Sequence, residues 1–82
     1  MDLRDTAEKV LAGLGGAENI VSMEPCITRI RTQLRDRSKL DEKALKRAGA
    51  HGVMKIGDSV QVVMGTLSDN IEAEMRRIMA GK

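Results

Sequence analysis

Apolar positions recur along the chain in blocks that alternate between helical and strand spacing. Leu3, Val10, Leu11 and Leu14 follow helical spacing, with Ala7 on the same stripe. Asp2 fits an N-cap and Gly15-Gly16 a stop, which predicts a helix over residues 3–13. Asn19-Ile20-Val21-Ser22-Met23 reads as a short strand. Glu24-Pro25 ends it, because proline lacks a ladder donor and restricts the residue before it. Cys26 then falls in a loop. Residues 28–34 alternate, with Ile30 and Leu34 to one side and Arg29, Arg31 and Gln33 to the other. That pattern predicts a strand with one buried face and one wet face.

Asp36-Arg37-Ser38-Lys39 is a polar connector. A helix over residues 41–48 follows, with Ala44, Leu45 and Ala48 inward and Gly49 at its C-terminal end. Residues 52–56 and 59–64 are β-branched runs around Gly57-Asp58, a two-residue hairpin signal. Val60, Val62 and Met64 share one face; Ser59, Gln61 and Val63 share the other. Thr66 or Ser68 then caps a last helix, whose apolar stripe is Ile71, Met75, Ile78 and Met79. The order is α-β-β-α-β-β-α. Short ββ connections imply antiparallel pairs. The expected fold is an α+β two-layer sandwich, an antiparallel four-stranded sheet with three helices on one face. No repeat or linker divides the chain, so residues 1–82 read as a single domain.

Composition narrows the chemistry. With no Phe, Tyr or Trp, the core is aliphatic and no aromatic platform exists for stacking bases or sugars. The net charge of +2 comes from interspersed acids and bases, without a run of five like charges. Non-specific attraction to nucleic acid or membrane needs clustered charge. Cys26 is the only cysteine, which excludes an internal disulfide, a C-x-x-C redox pair and a cysteine-rich zinc site. His51, the only histidine, has no partner ligands in the sequence pattern and is read as a turn or strand-edge residue. No apolar stretch approaches the ~20 residues that span a bilayer. The first residues lack the apolar region of a signal peptide, so a reducing cytoplasm is the expected compartment. A lone thiol there is either a small buried hydrophobe or a working nucleophile.

The informative stretch is Pro25-Cys26-Ile27-Thr28-Arg29-Ile30-Arg31. A thiolate is the nucleophilic form of cysteine, and nearby cations favour it. Arg29 and Arg31 share the odd-numbered face of their strand, whereas Cys26 has the opposite parity if that strand extends back to it. The three meet only if the backbone around Pro25, Cys26 and Ile27 curls out of strand geometry. Such a curl would also turn successive N–H groups outward as an anion nest. Thiolate, backbone donors, the Thr28 hydroxyl and two guanidinium groups suit a tetrahedral dianion. The competing reading is a packing cysteine beside solvated arginines.

Asn19-Ile20, then Cys26-Ile27-Thr28-Arg29-Ile30-Arg31, resembles the phosphorylation-site signature of the glucose-family enzyme IIB domain of sugar phosphotransferase systems. Residues 45–53, LKRAGAHGV, resemble that family's "LKxxGAxGV" element. Val60-Gln61-Val62-Val63-Met64-Gly65 resembles its "VQxxxG" strand, and Ser68-Asp69-Asn70 its helix start. The resemblance spans roughly residues 5–79, in several elements in the right order. It implies that Cys26 accepts a phosphoryl group from a phosphohistidine of a IIA protein. Cys26 then passes it to a sugar of the N-acetylglucosamine or glucose type held by a membrane IIC permease. It also implies that Ile27, Thr28, Arg29 and Arg31 bind or transfer the phosphoryl group. No cofactor, metal or nucleic acid is expected. The protein is expected to be a monomer in isolation, associating with the inner membrane face through IIC. Met23, Pro25 and Val63 are the expected apolar contacts for partners. Pro25 departs from the small or acidic residue expected there. Met1 and the short ends suggest a free-standing subunit, although an excised domain has the same sequence.

Two rival classes stay in view. Gly13-Leu14-Gly15-Gly16 matches the GxxG clamp of KH RNA-binding domains. Here, however, it falls between a helix and a strand, where a helix stop explains it. A cysteine peroxidase would share the activated thiolate without the wider match. RNA titration and peroxide consumption separate these from phosphoryl transfer.

Overall fold

The computed structural model describes residues 2–81. Helix α1 (Leu3–Gly13) starts where the Asp2 carboxylate accepts hydrogen bonds from the N–H groups of Arg4 and Asp5. It is followed by a 3-10 turn at Ala17–Asn19, strand β1 (Ile20–Cys26) and strand β2 (Arg29–Leu34). Helix α2 (Glu42–Arg47) is capped by Asp41 and ends before Gly49, whose φ of 111° suits only glycine. Strands β3 (Gly52–Ile56) and β4 (Ser59–Val63) form the predicted hairpin around Gly57-Asp58. Helix α3 (Ser68–Met79) closes the chain after a 3-10 turn at Gly65–Leu67. Among the described residues, no helix is long and apolar enough to cross a membrane.

All strand pairs are antiparallel, in the spatial order β1-β2-β4-β3. Ile30, Leu34, Val60 and Val62 point to the helices and join Ala7, Val10, Leu11, Leu14, Leu45, Ile71 and Met75 in an aliphatic core. Thr32 is the polar member of that sheet face; its hydroxyl donates to the Val60 carbonyl at 2.8 Å, which satisfies it in place. α1 packs on α2 and α3, and α3 lies over β1 and β2. The expected α+β sandwich, with helices on one face, is the observed fold. The other face of the sheet is open.

Three expectations change. β1 does not stop before Pro25; it continues through it to Cys26, which is therefore a strand residue. β1 is an edge strand. Cys26 and Arg29 pair across the following turn, so alternation turns the Pro25 nitrogen to the free edge, where no ladder bond is lost. Asn19 is not in a strand but is the buried last residue of a 3-10 turn. Neither Thr66 nor Ser68 caps α3: Ser68 is its first residue, fully buried, and among the described residues its hydroxyl is the buried side-chain polar atom without a hydrogen-bond partner. The preceding 3-10 turn leads straight into the helix and replaces the cap.

Asn19 locks three elements together. Its amide donates to the carbonyls of Leu14 at 2.8 Å and Asp36 at 3.0 Å, and its carbonyl oxygen accepts from the Asp36 N–H at 3.0 Å. It thus ties the end of α1 to the connector after β2. The Ser38 hydroxyl, then the Ser38 N–H, donates to the Asp36 carboxylate and holds it below the usual carboxylate range. We expect Asn19→Ala to cost about 2–4 kcal/mol, because three bonds go and backbone groups are left buried and unpaired. Thermal melts followed by circular dichroism check it; a midpoint within ~2 °C of wild type would contradict it.

Candidate functional site

The site stands on the turn between β1 and β2. Cys26 pairs with Arg29, so only Ile27 and Thr28 lie between the strands. Two-residue hairpin turns need a positive φ, normally supplied by glycine. Here Ile27 supplies it, at φ 55°, as the one non-glycine residue with positive φ among those described. A β-branched residue in that region stores strain of order 1–3 kcal/mol. The Ile27 side chain gains no burial in return, being 82% exposed. The Thr28 carbonyl accepts from the Gly65 N–H at 3.0 Å, which anchors the turn to the β4–α3 junction. At the same end of the sheet the His51 N–H donates to the Val63 carbonyl at 2.8 Å.

The turn resolves the parity conflict. Directly paired residues project from the same face of a sheet. Cys26 opposite Arg29 therefore shares its face, and Arg31, two residues on, shares it too. No curled backbone is needed. On this open face Glu24 stands opposite Arg31, and Val63 stands opposite Arg29 on the other side. Met23 and Pro25 pair with Thr32 and Ile30 and so project toward the helix side. Met23 packs against the core, while Pro25 is exposed at the sheet edge. The structure thus brings Cys26, Arg29, Arg31 and Val63 to one face, with Ile27 and Thr28 at its rim. Met23 and Pro25 are directed away from it.

Each arginine has its own partner. Arg29 Nη1 donates to Gln61 Oε1 at 3.1 Å, a diagonal contact, since Gln61 stands directly opposite Arg31. Arg31 Nη1 instead lies 3.5 Å from Glu24 Oε1. Glu24 and Gln61, the partners of the two arginines, were not assigned to the site by the sequence reading. Gln61 was placed with Ser59 and Val63 on one face of its strand, but pairing order decides that this face adjoins Arg29. Glu24 was hidden because the strand was ended at that residue.

Cys26 is half-buried and its thiol is free. Farther along the strands from the turn, a shallow cavity of about 200 Å³ is lined by Ser22, Met23, Glu24, Arg31, Thr32, Gln33 and Ser59; Cys26 does not line it. Among the described residues, no cluster of His, Cys, Asp and Glu could hold a metal ion. The chemistry present is one nucleophilic sulfur, two guanidinium groups and the backbone of an exposed turn. Such a set can take up and release a small anionic group.

Residues 8–41 match the family model for the phosphotransferase system, EIIB. The chain is 55% identical over 73 residues to a protein named PTS system N-acetylglucosamine-specific EIIB component, from Streptomyces coelicolor, covering 89% of this chain and 95% of that one. It is 43% identical over 74 residues to the PTS system glucose-specific EIICBA component of Staphylococcus carnosus, of which it spans 11%. Its fold is similar to the crystal structure of one domain of the PTS system IIabc component from Clostridium difficile. That match has a TM-score of 0.81 at 26% identity, over 93% of this chain and 81% of that one.

Proposed function

The chain belongs to the phosphotransferase system EIIB family, and from that premise we propose that Cys26 is its phosphoryl carrier. EIIB components are phosphotransferases; the finer reading is which residues do the work. In the first step the Cys26 sulfur, as thiolate, attacks phosphorus of a phosphohistidine on a IIA protein. An S–P bond forms, the P–N bond breaks, and the imidazole leaves with the electron pair. In the second step a sugar hydroxyl attacks the same phosphorus. An O–P bond forms, the S–P bond breaks, and the sulfur departs as thiolate while the hydroxyl proton passes to solvent or a base of the partner. The sugar is of the N-acetylglucosamine or glucose type and is held by a membrane IIC permease. The protein works at the inner face of that membrane.

The observation that carries this reading is the cross-strand pair of Cys26 and Arg29 at an exposed turn, with Arg31 next on the same face. In-line phosphoryl transfer depends on positioning and charge stabilisation more than on covalent help from the protein. A sulfur at an open edge is reachable by two large partners in turn. Arginine forks beside it match phosphate oxygens. The Thr28 hydroxyl and the N–H groups of the turn complete the oxygen contacts, and Val63 and Ile27 give apolar contact to either partner.

The test is incubation with phosphoenolpyruvate, the general phosphotransferase components and a IIA protein, followed by intact-protein mass spectrometry. One added phosphate is expected, mapped to the peptide holding Cys26. Absence of phosphate with several IIA proteins, or its location on His51, would sink the proposal.

A further inference from the structure

Arg31 and Arg29 share a sheet face with Cys26 but differ in what they pair with. Arg29 is held by the uncharged amide of Gln61, while Arg31 faces the carboxylate of Glu24. Gln61 stands across from Arg31 on β4 but is occupied with Arg29, so Arg31 pairs to the other side, on β1. Glu24 is also two residues before Cys26 on one strand, hence on the same face, about 7 Å away along the strand. A dianionic group added to Cys26 would meet Glu24 as a like charge. It would also compete with Glu24 for the Arg31 guanidinium.

We propose that Glu24 is a positioning residue that keeps Arg31 off the phosphoryl group of resting phospho-Cys26 and so keeps that group transferable. This rests on Cys26 being the carrier. A carrier fails if it holds its cargo too well: ground-state contacts that match those of the transition state do not speed release. With Glu24 in place, Arg31 is exchanged from carboxylate to phosphoryl only as charge moves onto the equatorial oxygens. The pair is on the surface, with Arg31 half-exposed and Glu24 more so, so the effect is modest and falls with salt. No bond beyond the two transfer steps is made or broken.

The experiment measures the equilibrium of phosphoryl exchange between a phosphorylated IIA protein and this protein, as the ratio of phosphorylated forms by intact mass. Glu24→Gln should shift that ratio toward phospho-Cys26 by about three- to tenfold at low salt, from the lost repulsion and competition. The onward rate to sugar should fall with it, and both changes should shrink in 0.5 M KCl. In an Arg31→Gln background, Glu24→Gln should lose most of its effect. An unchanged ratio in Glu24→Gln overturns the proposal while leaving the carrier reading intact. A shift that persists fully without Arg31 also overturns it, since plain repulsion then suffices. Failure of wild type to take phosphate overturns the carrier reading, and this inference with it.

Discussion

Replacing Cys26 by serine is expected to abolish phosphoryl acceptance while leaving the fold in place. Serine differs from cysteine by one atom, and Cys26 is a half-buried residue at the end of an edge strand. Its side chain is not part of the aliphatic core, so no cavity opens beneath it. The melting midpoint should stay within ~3 °C of wild type, as for substitutions away from core, caps and strained positions. The proposed chemistry, by contrast, loses its nucleophile. A serine hydroxyl is a weak nucleophile unless an adjacent base takes its proton. His51 is the only histidine, and its ring lies beside Gly65, where the β4–α3 junction begins. Intact-mass measurement on Cys26→Ser after incubation with phosphorylated IIA protein should therefore show no added phosphate. A stable adduct in the serine variant would move the acceptor elsewhere in the chain.

How far the sequence reached depends on whether an element is defined locally or by its neighbours. α1 was legible, because Asp2 caps it and the glycines after Leu14 stop it. The β3–β4 hairpin was legible because Gly57-Asp58 specifies the turn by its own backbone preference. β1 was misjudged at Pro25 because proline is excluded from central strands and tolerated on edges. Which strand is the edge is a property of pairing order, and no local pattern contains it. The same gap set Cys26 and Arg29 on opposite parities. One continuous strand would separate them, whereas a two-residue turn at Ile27-Thr28 sets them opposite each other. That turn was not predicted because its positive φ falls on isoleucine rather than glycine.

The side-chain partners follow the same division. Alternation placed Arg29 and Arg31 on a wet face and Gln61 on the face of its strand opposite Val60 and Val62, and those are one face in the folded sheet. Their pairing as Arg29 with Gln61 and Arg31 with Glu24 needs the register, which a one-residue slip would undo. Asn19 was read as the first residue of a strand and as part of the family signature, and neither reading gave its structural role. Its role depends on carbonyls of Leu14 and Asp36, one of them distant in sequence.

The two arginines should divide the half-reactions between them and the turn. The proposed acceptance at Cys26 needs the sulfur and donors near it, which the Ile27-Thr28 backbone and Thr28 hydroxyl can provide. Donation onward has a harder task, because charge must be stabilised as it spreads over three oxygens while the sulfur leaves. Planar guanidinium groups follow such charge with paired hydrogen bonds, and an ammonium does not. We therefore expect Arg29→Lys and Arg31→Lys each to accept phosphate from IIA at near the wild-type rate. Transfer to sugar in membranes holding the cognate IIC permease should fall by roughly hundreds-fold, the usual cost of one lost transition-state contact. Keeping a positive charge in both variants separates fork geometry from simple attraction. Gln61 adds an internal comparison, because it orients Arg29 and not Arg31. Removing its amide should weaken the Arg29 step only, so Gln61→Ala should leave an Arg29→Lys protein no worse. The assay runs both half-reactions on one preparation, phosphate gain by intact mass and then sugar-phosphate release. Lysine variants equal to wild type in both halves would reduce the arginines to solvated surface. Variants that fail only in acceptance would move them to docking of the donor.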